Sequence, residues 1–517
     1  MISMLKLRKS FTTVKLALLG LLVGLTARDA YAGANKKPRR FIVYKKKSAY
    51  SSVNYSTTGD EMVQVSRKQV VELNDDTTWR KELSKHQTNP QVEHIEEDLI
   101  MKRLSNDTYF SDQWALSRLR ATDIWNTYNT SAQVVVAVVD TGIIKDHEDL
   151  SHAVLPGADF ISDAGMGNDG DGRDSDASDP GDWVNSSDFC YQGRNEDSSW
   201  HGTHVAGIIA AKRNNNAGIA GLSDNVKILP VRVLGRCGGF TSDIADAVRW
   251  SAGLPVSGMA LNQNPARVIN LSLGSPGTCG RTMQEAIDAA ILAGSVVVVA
   301  AGNDNQDLDY QSYTPANCQG VITVGATNDN EDIPTYSNYG SFVDVYAPGG
   351  DDWFGAVLST YNQGSRSPSG DSYQGLNGTS MAAPYVAATV ALMMAVNPNL
   401  YPLQYRNLIK QNSEQKTSWN KNMSFQFLDA FDSVGAAQAA QPDDRYKYIP
   451  SEPVISGGVG LFKPSTEDGG VGCGTIAIIG ADGGDGPGGP GQKASFLLGL
   501  LIAAALGLRP PKSKKRS

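Results

Sequence analysis

A doubly wound, mostly parallel α/β sheet flanked by helices, preceded by a small α+β module, is the fold class this sequence predicts. Five continuous β-branched runs carry the prediction: Val134 to Val139, Val226 to Val233, Val268 to Leu273, Val296 to Ala301 and Val321 to Ala326. Runs apolar at every position, instead of at alternate ones, mark strands buried on both faces of a parallel sheet. Between them lie helix-like segments at His204 to Lys212, Ser242 to Ala252 and Thr282 to Ala293. Strands that alternate with helices build layered α/β folds, whose chemistry sits beyond the carboxyl ends of the strands. Asp140, Ser272 and Asn303 all fall at or just after such ends.

The 517 residues exceed one ordinary domain, so segments with different fates are expected. Lys6, Arg8, Lys9 and Lys15 precede the apolar run Leu16 to Leu25, and Ala30-Tyr31-Ala32 offers small residues for cleavage, so residues 1–32 read as an export signal. Residues 33–105 form the small module. "RRFIVYKKK" and "VEHIEEDLIMKRL" read as strands, and the stretch from Gln64 to Leu73 has no clear period. Residues 106–440 make the α/β unit. Residues 441–493 are linker-like and glycine-rich, and residues 494–517 join an apolar run, Ala494 to Leu508, to a basic end. Those 15 apolar residues span about 22 Å as a helix, short of a ~30 Å hydrocarbon core, so a transient membrane hold fits better than a permanent transmembrane helix.

A net charge of −8 leaves no broad basic surface, which excludes nucleic acid as a partner class. The five cysteines include no C-x-x-C pair, so neither a zinc site nor a thioredoxin-type motif is expected. Cys190, Cys237, Cys279 and Cys318 allow three pairings in an oxidising compartment. The one that closes the shorter loops, Cys190–Cys237 with Cys279–Cys318, is favoured; Cys473 stands apart.

The stretch "VVDTG" admits two chemistries. An aspartic protease needs two carboxylates that share a proton, hence a second Asp-Thr-Gly or Asp-Ser-Gly, and this chain has none. A serine hydrolase needs a histidine base and a serine nucleophile. "SSWHGTHVAGIIAA" supplies His201 where a loop meets a helix of small residues, and "NGTSMAAPYVAATVALMM" supplies Ser380 at the start of an apolar helix. A helix N-terminus stabilises an oxyanion beside such a nucleophile. Pro384 suits a first helical turn, which has no use for its N–H. Taken singly, Asp140 reads as a turn former, His201 as a cap partner and Ser380 as an N-cap. In the order Asp–His–Ser they read as a triad. An α/β-hydrolase would carry G-x-S-x-G, whereas Ser380 lies in Gly378-Thr379-Ser380-Met381-Ala382.

"VVDTG", "HGTHVAG", "NLSLGS", "AAGND" and "NGTSMAAP" together resemble the motifs of the subtilisin-like (subtilase) serine peptidases, over roughly residues 106–440. Subtilisin is itself a standard worked example of that triad order. The resemblance implies a secreted endopeptidase acting on protein or peptide substrates as a monomer, with Ser380 as nucleophile, His201 as base and Asp140 as its orienting carboxylate. Asn303 would donate to the oxyanion. Ser272-Leu273-Gly274 and Ala300-Ala301-Gly302 would be the two edges that bind substrate backbone, with Tyr313 and the loop before Pro315 lining the specificity pocket. His204 inherits no role and is taken as structural. Residues 33–105 would be a propeptide, an intramolecular inhibitor and folding template released near Leu104–Ser105. A structural calcium ion would be held by the side chains of Asp107, Asp149 and Asn215 and the carbonyls of Lys212, Ala217 and Ile219. A second calcium is expected at the acidic loop of Asp169, Asp171, Asp174, Asp176, Asp179 and Asp182, which lacks the closing glutamate of an EF-hand. The tail resembles the sorting signals of secreted Gram-negative enzymes, with export machinery as its partner.

Overall fold

A computed structural model describes residues 39–45, 68–73, 76–97 and 105–450, apart from residues 129, 131, 189, 191–194, 224 and 354, together with residues 478–479. The expected export signal at residues 1–32, Leu104, Cys473 and the apolar and basic stretch at residues 494–517 lie outside the described residues.

The N-terminal module is a three-stranded antiparallel sheet. Its middle strand β1 (Arg39–Lys45) lies between β2 (Lys68–Leu73) and β3 (Val92–Glu97), with helix α1 (Asp76–Gln87) joining the last two. Alternation along β1 turns Phe41 and Val43 inward, where they pack with Val71, Leu83, Val92 and Ile95 as a separate small core. The strand β2 emerges from the stretch without clear period. Helix α1, "DTTWRKELSKHQ", carries too few apolar residues for its 3.6-residue period to show in the sequence.

The main unit is built on a nine-stranded sheet. In chain order its strands are β4 (Val135–Asp140), β5 (Ala158–Asp159), β6 (Lys227–Arg232), β7 (Val268–Leu271), β8 (Val296–Ala300), β9 (Ile322–Thr327), β10 (Val345–Pro348), β11 (Glu414–Ser418) and β12 (Met423–Phe427). Their spatial order is β11-β12-β10-β9-β8-β7-β4-β6-β5, parallel throughout except for the β11–β12 hairpin. The five expected strands are all present, within two residues at each end. All of β8 is buried, which is why "VVVVA" shows no polar alternation.

From β4 the chain builds outward to β6, then returns to the other side of β4 through β7. The order therefore reverses between β4 and β7, the place where a crevice opens beyond the strand ends. The flanking helices are α2 (His201–Ala210), α3 (Thr241–Ser251), α4 (Arg281–Leu292), α5 (Thr379–Val396), α6 (Pro402–Asn412) and α7 (Ala430–Ala439). Helices α3 and α4 pack together, and so do α2 and α5. Helix α5 is apolar on all sides and buried from Thr379 to Met394, as such a composition requires in water. Among the described residues it alone is long and apolar enough to cross a membrane, yet it is mostly buried inside the fold.

Both favoured disulfides are present, with Cα–Cα distances of 5.6 Å for Cys190–Cys237 and 5.1 Å for Cys279–Cys318. The packed unit runs past the expected boundary at residue 440. Tyr448 packs on the core and donates to Asp288 at 2.6 Å, and Tyr401 donates to Asp444 at 2.9 Å. The aromatic residues in "DRYKY" hold what reads as linker against the fold.

Helix α2 lies close against the strand Val357–Asn362. A Cβ added at Gly207 would sit 2.2 Å from Thr360 Oγ1 and 2.4 Å from Ser359 Oγ, both of which donate to carbonyls of α2. Gly207→Ala should therefore push the helix off that strand at a cost of about 1–3 kcal/mol. Thermal unfolding should show a midpoint several degrees lower; an unchanged midpoint would mean the contact is not tight.

Candidate active site

Asp140 ends β4, and its carbonyl is held by the N–H groups of Val233 and Leu234. Its side chain is fully buried. Oδ1 accepts from the Thr141 N–H at 2.8 Å and from His201 Nδ1 at 2.7 Å. Thr141 ties the two elements together: its hydroxyl accepts from the Gly202 N–H at 3.0 Å and donates to Asp179 at 2.7 Å. His201 is thus the first residue of α2, three residues earlier than the helix-like segment reads in sequence. With Nδ1 on the carboxylate, Nε2 of His201 and Oδ2 of Asp140 are both buried and have no hydrogen-bond partner among the described residues.

Ser380 is the second residue of α5. Its hydroxyl donates to the Ser272 carbonyl at 3.2 Å. Its own carbonyl accepts from the Ser272 hydroxyl at 2.9 Å. The second contact has a covalent cause. A helix would normally give the Ser380 carbonyl to the N–H four residues on, but that residue is Pro384, which has none. Pro384 lies beyond the first turn, contrary to the sequence reading, and the carbonyl it leaves open ties the serine to the end of β7.

Asn303 follows β8. Its Oδ1 accepts from both the N–H and the hydroxyl of Thr379, each at 2.9 Å, and the same hydroxyl accepts from the Gly302 N–H at 3.1 Å. These bonds fix which end of the amide is the acceptor Oδ1 and which the donor Nδ2. Gly378 has φ +154°, and a Cβ built there would lie 3.4 Å from Asn303 Nδ2 and 3.6 Å from the Ser380 nitrogen. The Asn303 amide and the Ser380 backbone nitrogen therefore both border the small space that a side chain at position 378 would enter.

The expected substrate edges flank this point. Ser272, Leu273, Gly274, Ala300, Ala301 and Gly302 are all buried. The ring of Tyr313 lies between them: a Cβ on Gly274 or on Gly302 would come within 2.5 Å or 2.6 Å of it.

Electrostatics separates the two histidines. Burial disfavours the imidazolium of His201, but the Asp140 carboxylate, helped by Asp182 and Asp179, outweighs this and raises its pKa. His204 is buried, its Nε2 donating to the carbonyls of Val357 (3.1 Å) and Gln374 (2.9 Å), and burial pushes its pKa down to about 3. His204 is a structural hydrogen-bond donor.

The predicted calcium ligands are gathered. The N–H of Asn215 donates to Asp107 at 3.0 Å and its side-chain amide to Asp149 at 2.6 Å, while Asp149 also accepts from the Ile219 N–H at 2.9 Å. Burial raises the pKa of Asp149, a carboxylate whose hydrogen bonds come from neutral groups. Among the described residues no backbone N–H donates to the carbonyls of Lys212, Ala217 or Ile219. Two buried carboxylates and three open carbonyls on adjoining segments suit a hard cation with oxygen ligands.

The acidic loop is not gathered in this way. Asp169 pairs with Arg232, Asp174 accepts from the Asp176 N–H, Asp176 pairs with Lys145 at 3.0 Å, Asp179 goes to Thr141, and Asp182 accepts the N–H and hydroxyl of Ser199, each at 2.6 Å. Asp171, exposed, gives only its N–H to Asp169. Among the described residues no group of three or more His, Cys, Asp or Glu side chains could hold a metal. Asp179 and Asp182 instead brace the segments on either side of His201. That bracing, with the Thr379 clamp and the Ser272 tie, escaped the sequence reading; Pro384 four residues after Ser380 was its one available signal.

A model of the subtilase family matches residues 131–430. An extracellular protease of Xanthomonas campestris pv. campestris is 44% identical over 370 residues, covering 70% of this chain and 61% of that protein. An extracellular basic protease of Dichelobacter nodosus is 38% identical over 384 residues, covering 72% and 62%. The chain thus spans about three fifths of the length of these relatives. A solved structure of a protease from Pseudoalteromonas arctica is 47% identical, covers 65% of this chain and all of that one, and superposes with a TM-score of 0.61.

If Asp140 is what holds the His201 pKa up, Asp140→Asn should lower it, leaving burial as the dominant influence. The wild-type imidazolium stabilises the fold below the pKa of an unfolded histidine, and this contribution is lost as pH rises through the folded value. Histidine proton resonances followed through a pH titration report the shift directly. An unmoved or raised pKa in the variant would contradict the assignment.

Proposed function

The chain belongs to the subtilase family, and on that premise we propose that it is a secreted serine endopeptidase that cleaves peptide bonds through an acyl-enzyme on Ser380. One observation supports this above the rest: His201 is fixed on Asp140 through Nδ1 at 2.7 Å, leaving Nε2 as a buried nitrogen with no partner among the described residues. A general base for a serine hydroxyl needs that tautomer. In the resting site the hydroxyl of Ser380 lies on the Ser272 carbonyl. Rotation about χ1 in the substrate complex brings it to His201.

His201 Nε2 then takes the Ser380 proton as the oxygen attacks the scissile carbonyl. The developing oxyanion receives the Ser380 N–H and Asn303 Nδ2, whose loss would cost about 10²–10³ in kcat. The imidazolium, favoured by Asp140, returns its proton to the leaving amine. Water repeats the sequence to release the acid. The base must be neutral, so activity rises as pH passes the raised His201 pKa, opposite in direction to the stability contribution of the charged form.

Substrate backbone is proposed to pair with Ser272-Leu273-Gly274 on one side and Ala300-Ala301-Gly302 on the other, with Tyr313 in the specificity pocket. Residues 33–105 are proposed as the propeptide, and the tail as an export element at the cell envelope. Calcium, where Asp107, Asp149, Asn215 and the carbonyls of Lys212, Ala217 and Ile219 would hold it, supplies a cross-link between the start of the mature chain and the loop after α2, without chemistry of its own.

A fluorophosphonate probe should label the active protein at one serine and abolish caseinolysis, and Ser380→Ala should lose both. Casein hydrolysis that survives in Ser380→Ala would overturn the assignment. For calcium, saturation at 100 times Kd stabilises by about 2.7 kcal/mol, worth several degrees of midpoint. Chelation should remove that from the wild type and leave Asp149→Asn unchanged; equal losses in both would place the ion elsewhere.

A further inference from the structure

Asn303 is held from two directions. Thr379 fixes the oxygen end of its amide. Its backbone is fixed by Asn338, a buried residue that belongs to none of the motifs read from the sequence. The Oδ1 of Asn338 accepts from the Asp304 N–H at 3.1 Å and from the Gln306 N–H at 2.8 Å, and its Nδ2 donates to the Ala301 carbonyl at 2.8 Å. Its own N–H donates to the Gly302 carbonyl at 2.9 Å. One asparagine thus bonds the two residues before Asn303 and two of the three after it. Asn305, between those two, donates to the Tyr336 carbonyl at 2.8 Å. The pattern also settles the orientation of the Asn338 amide, since only its oxygen can face two N–H groups and only its nitrogen can donate to a carbonyl.

The fit is close, and it is referred to the sheet. Gly302 has φ +101°, and a Cβ built there would lie 2.4 Å from Asn338 Nδ2. The chain therefore passes the amide at a residue that alone leaves room and tolerates that backbone angle. On its other side, Asn338 is anchored through Ser337, whose hydroxyl accepts from the Ala326 N–H of β9 at 3.0 Å and donates to the Asn338 carbonyl at 2.9 Å. The strand β9 is the neighbour of β8, whose end delivers Asn303. The loop that carries the amide is thus held by a side chain fixed on the adjoining strand. Without that side chain two N–H groups and a carbonyl lose their partners, and the loop moves to relieve them.

We infer that Asn338 is a positioning residue for the reaction: by holding residues 301–306 it aims the Asn303 amide at the oxyanion. The inference rests on the reading of Asn303 as an oxyanion donor. Thr379 grips one end of that amide, and the other end swings with the backbone unless Asn338 holds it. The oxyanion develops only on the way to the tetrahedral intermediate, so loss of Asn338 lowers kcat and leaves ground-state affinity largely intact. Such geometry is intolerant, a misplacement of about 1 Å costing on the order of 10²-fold in rate.

A double-mutant cycle tests this, with kcat and KM for a peptide p-nitroanilide measured well below the unfolding midpoint of each variant. Asn303→Ala should lower kcat by about 10²–10³. Asn338→Ala should lower it by about 10–100-fold with KM within about threefold. Added to Asn303→Ala, it should cost less than about twofold more, because no donor is left to aim. Asn338→Ser, which keeps a polar group and adds no charge that could act on the oxyanion, repeats the cycle if the alanine variant folds poorly. A loop tie with no part in the reaction would cost the same factor in both backgrounds. That result, or a kcat within about twofold of wild type in both Asn338 variants, would overturn the inference and leave the role of Asn303 standing. Wild-type kcat in Asn303→Ala would instead remove the oxyanion reading, and the role of Asn338 with it.

Discussion

A fully buried carboxylate at the end of a central strand is the feature around which the active region is organised. A buried carboxylate needs donors around it, because burial of an unpaired charge costs several kcal/mol. The structure answers with the Thr141 N–H and His201 on one oxygen. Thr141 carries the arrangement outward to Gly202 at the start of α2 and to Asp179. Strand end, helix start and the loop before the helix are thereby held in one register, and the imidazole has one orientation available.

The serine is positioned by a different device. Pro384 leaves the Ser380 carbonyl without its helical donor, and Ser272 at the end of β7 supplies one. A residue that ordinarily weakens a helix here links the helix to the sheet. Thr379 completes the link on the other side by clamping Asn303. The three strands that deliver Asp140, Ser272 and Asn303 are neighbours in the sheet, β4, β7 and β8, so the convergence of the site is a consequence of strand order.

The acidic residues serve two distinct ends. Asp107 and Asp149 meet beside open carbonyls and suit a cation. Asp179 and Asp182 brace the chain around His201, and Asp169 and Asp176 pair with Arg232 and Lys145. Composition counts these groups alike; only their surroundings distinguish a metal ligand from a strut.

Apolar runs with no polar alternation announced β4, β6, β7, β8 and β9 unaided, because burial on both faces leaves its mark on every residue. The motifs around Asp140, His201, Asn303 and Ser380, together with the cysteine spacing, also stood in the sequence, since each is local. Helix α1, the β11–β12 hairpin and the packing of residues 441–448 did not show, because their apolar content is sparse and their stability comes from distant partners. The same holds for the Thr379 clamp, the bracing by Asp179 and Asp182, and the hold of Asn338 on the loop around Asn303. Local chemistry and periodicity are written in neighbouring residues; which hydroxyl reaches which carbonyl across a hundred positions is decided by strand order and close packing, and appears only when the chain is folded.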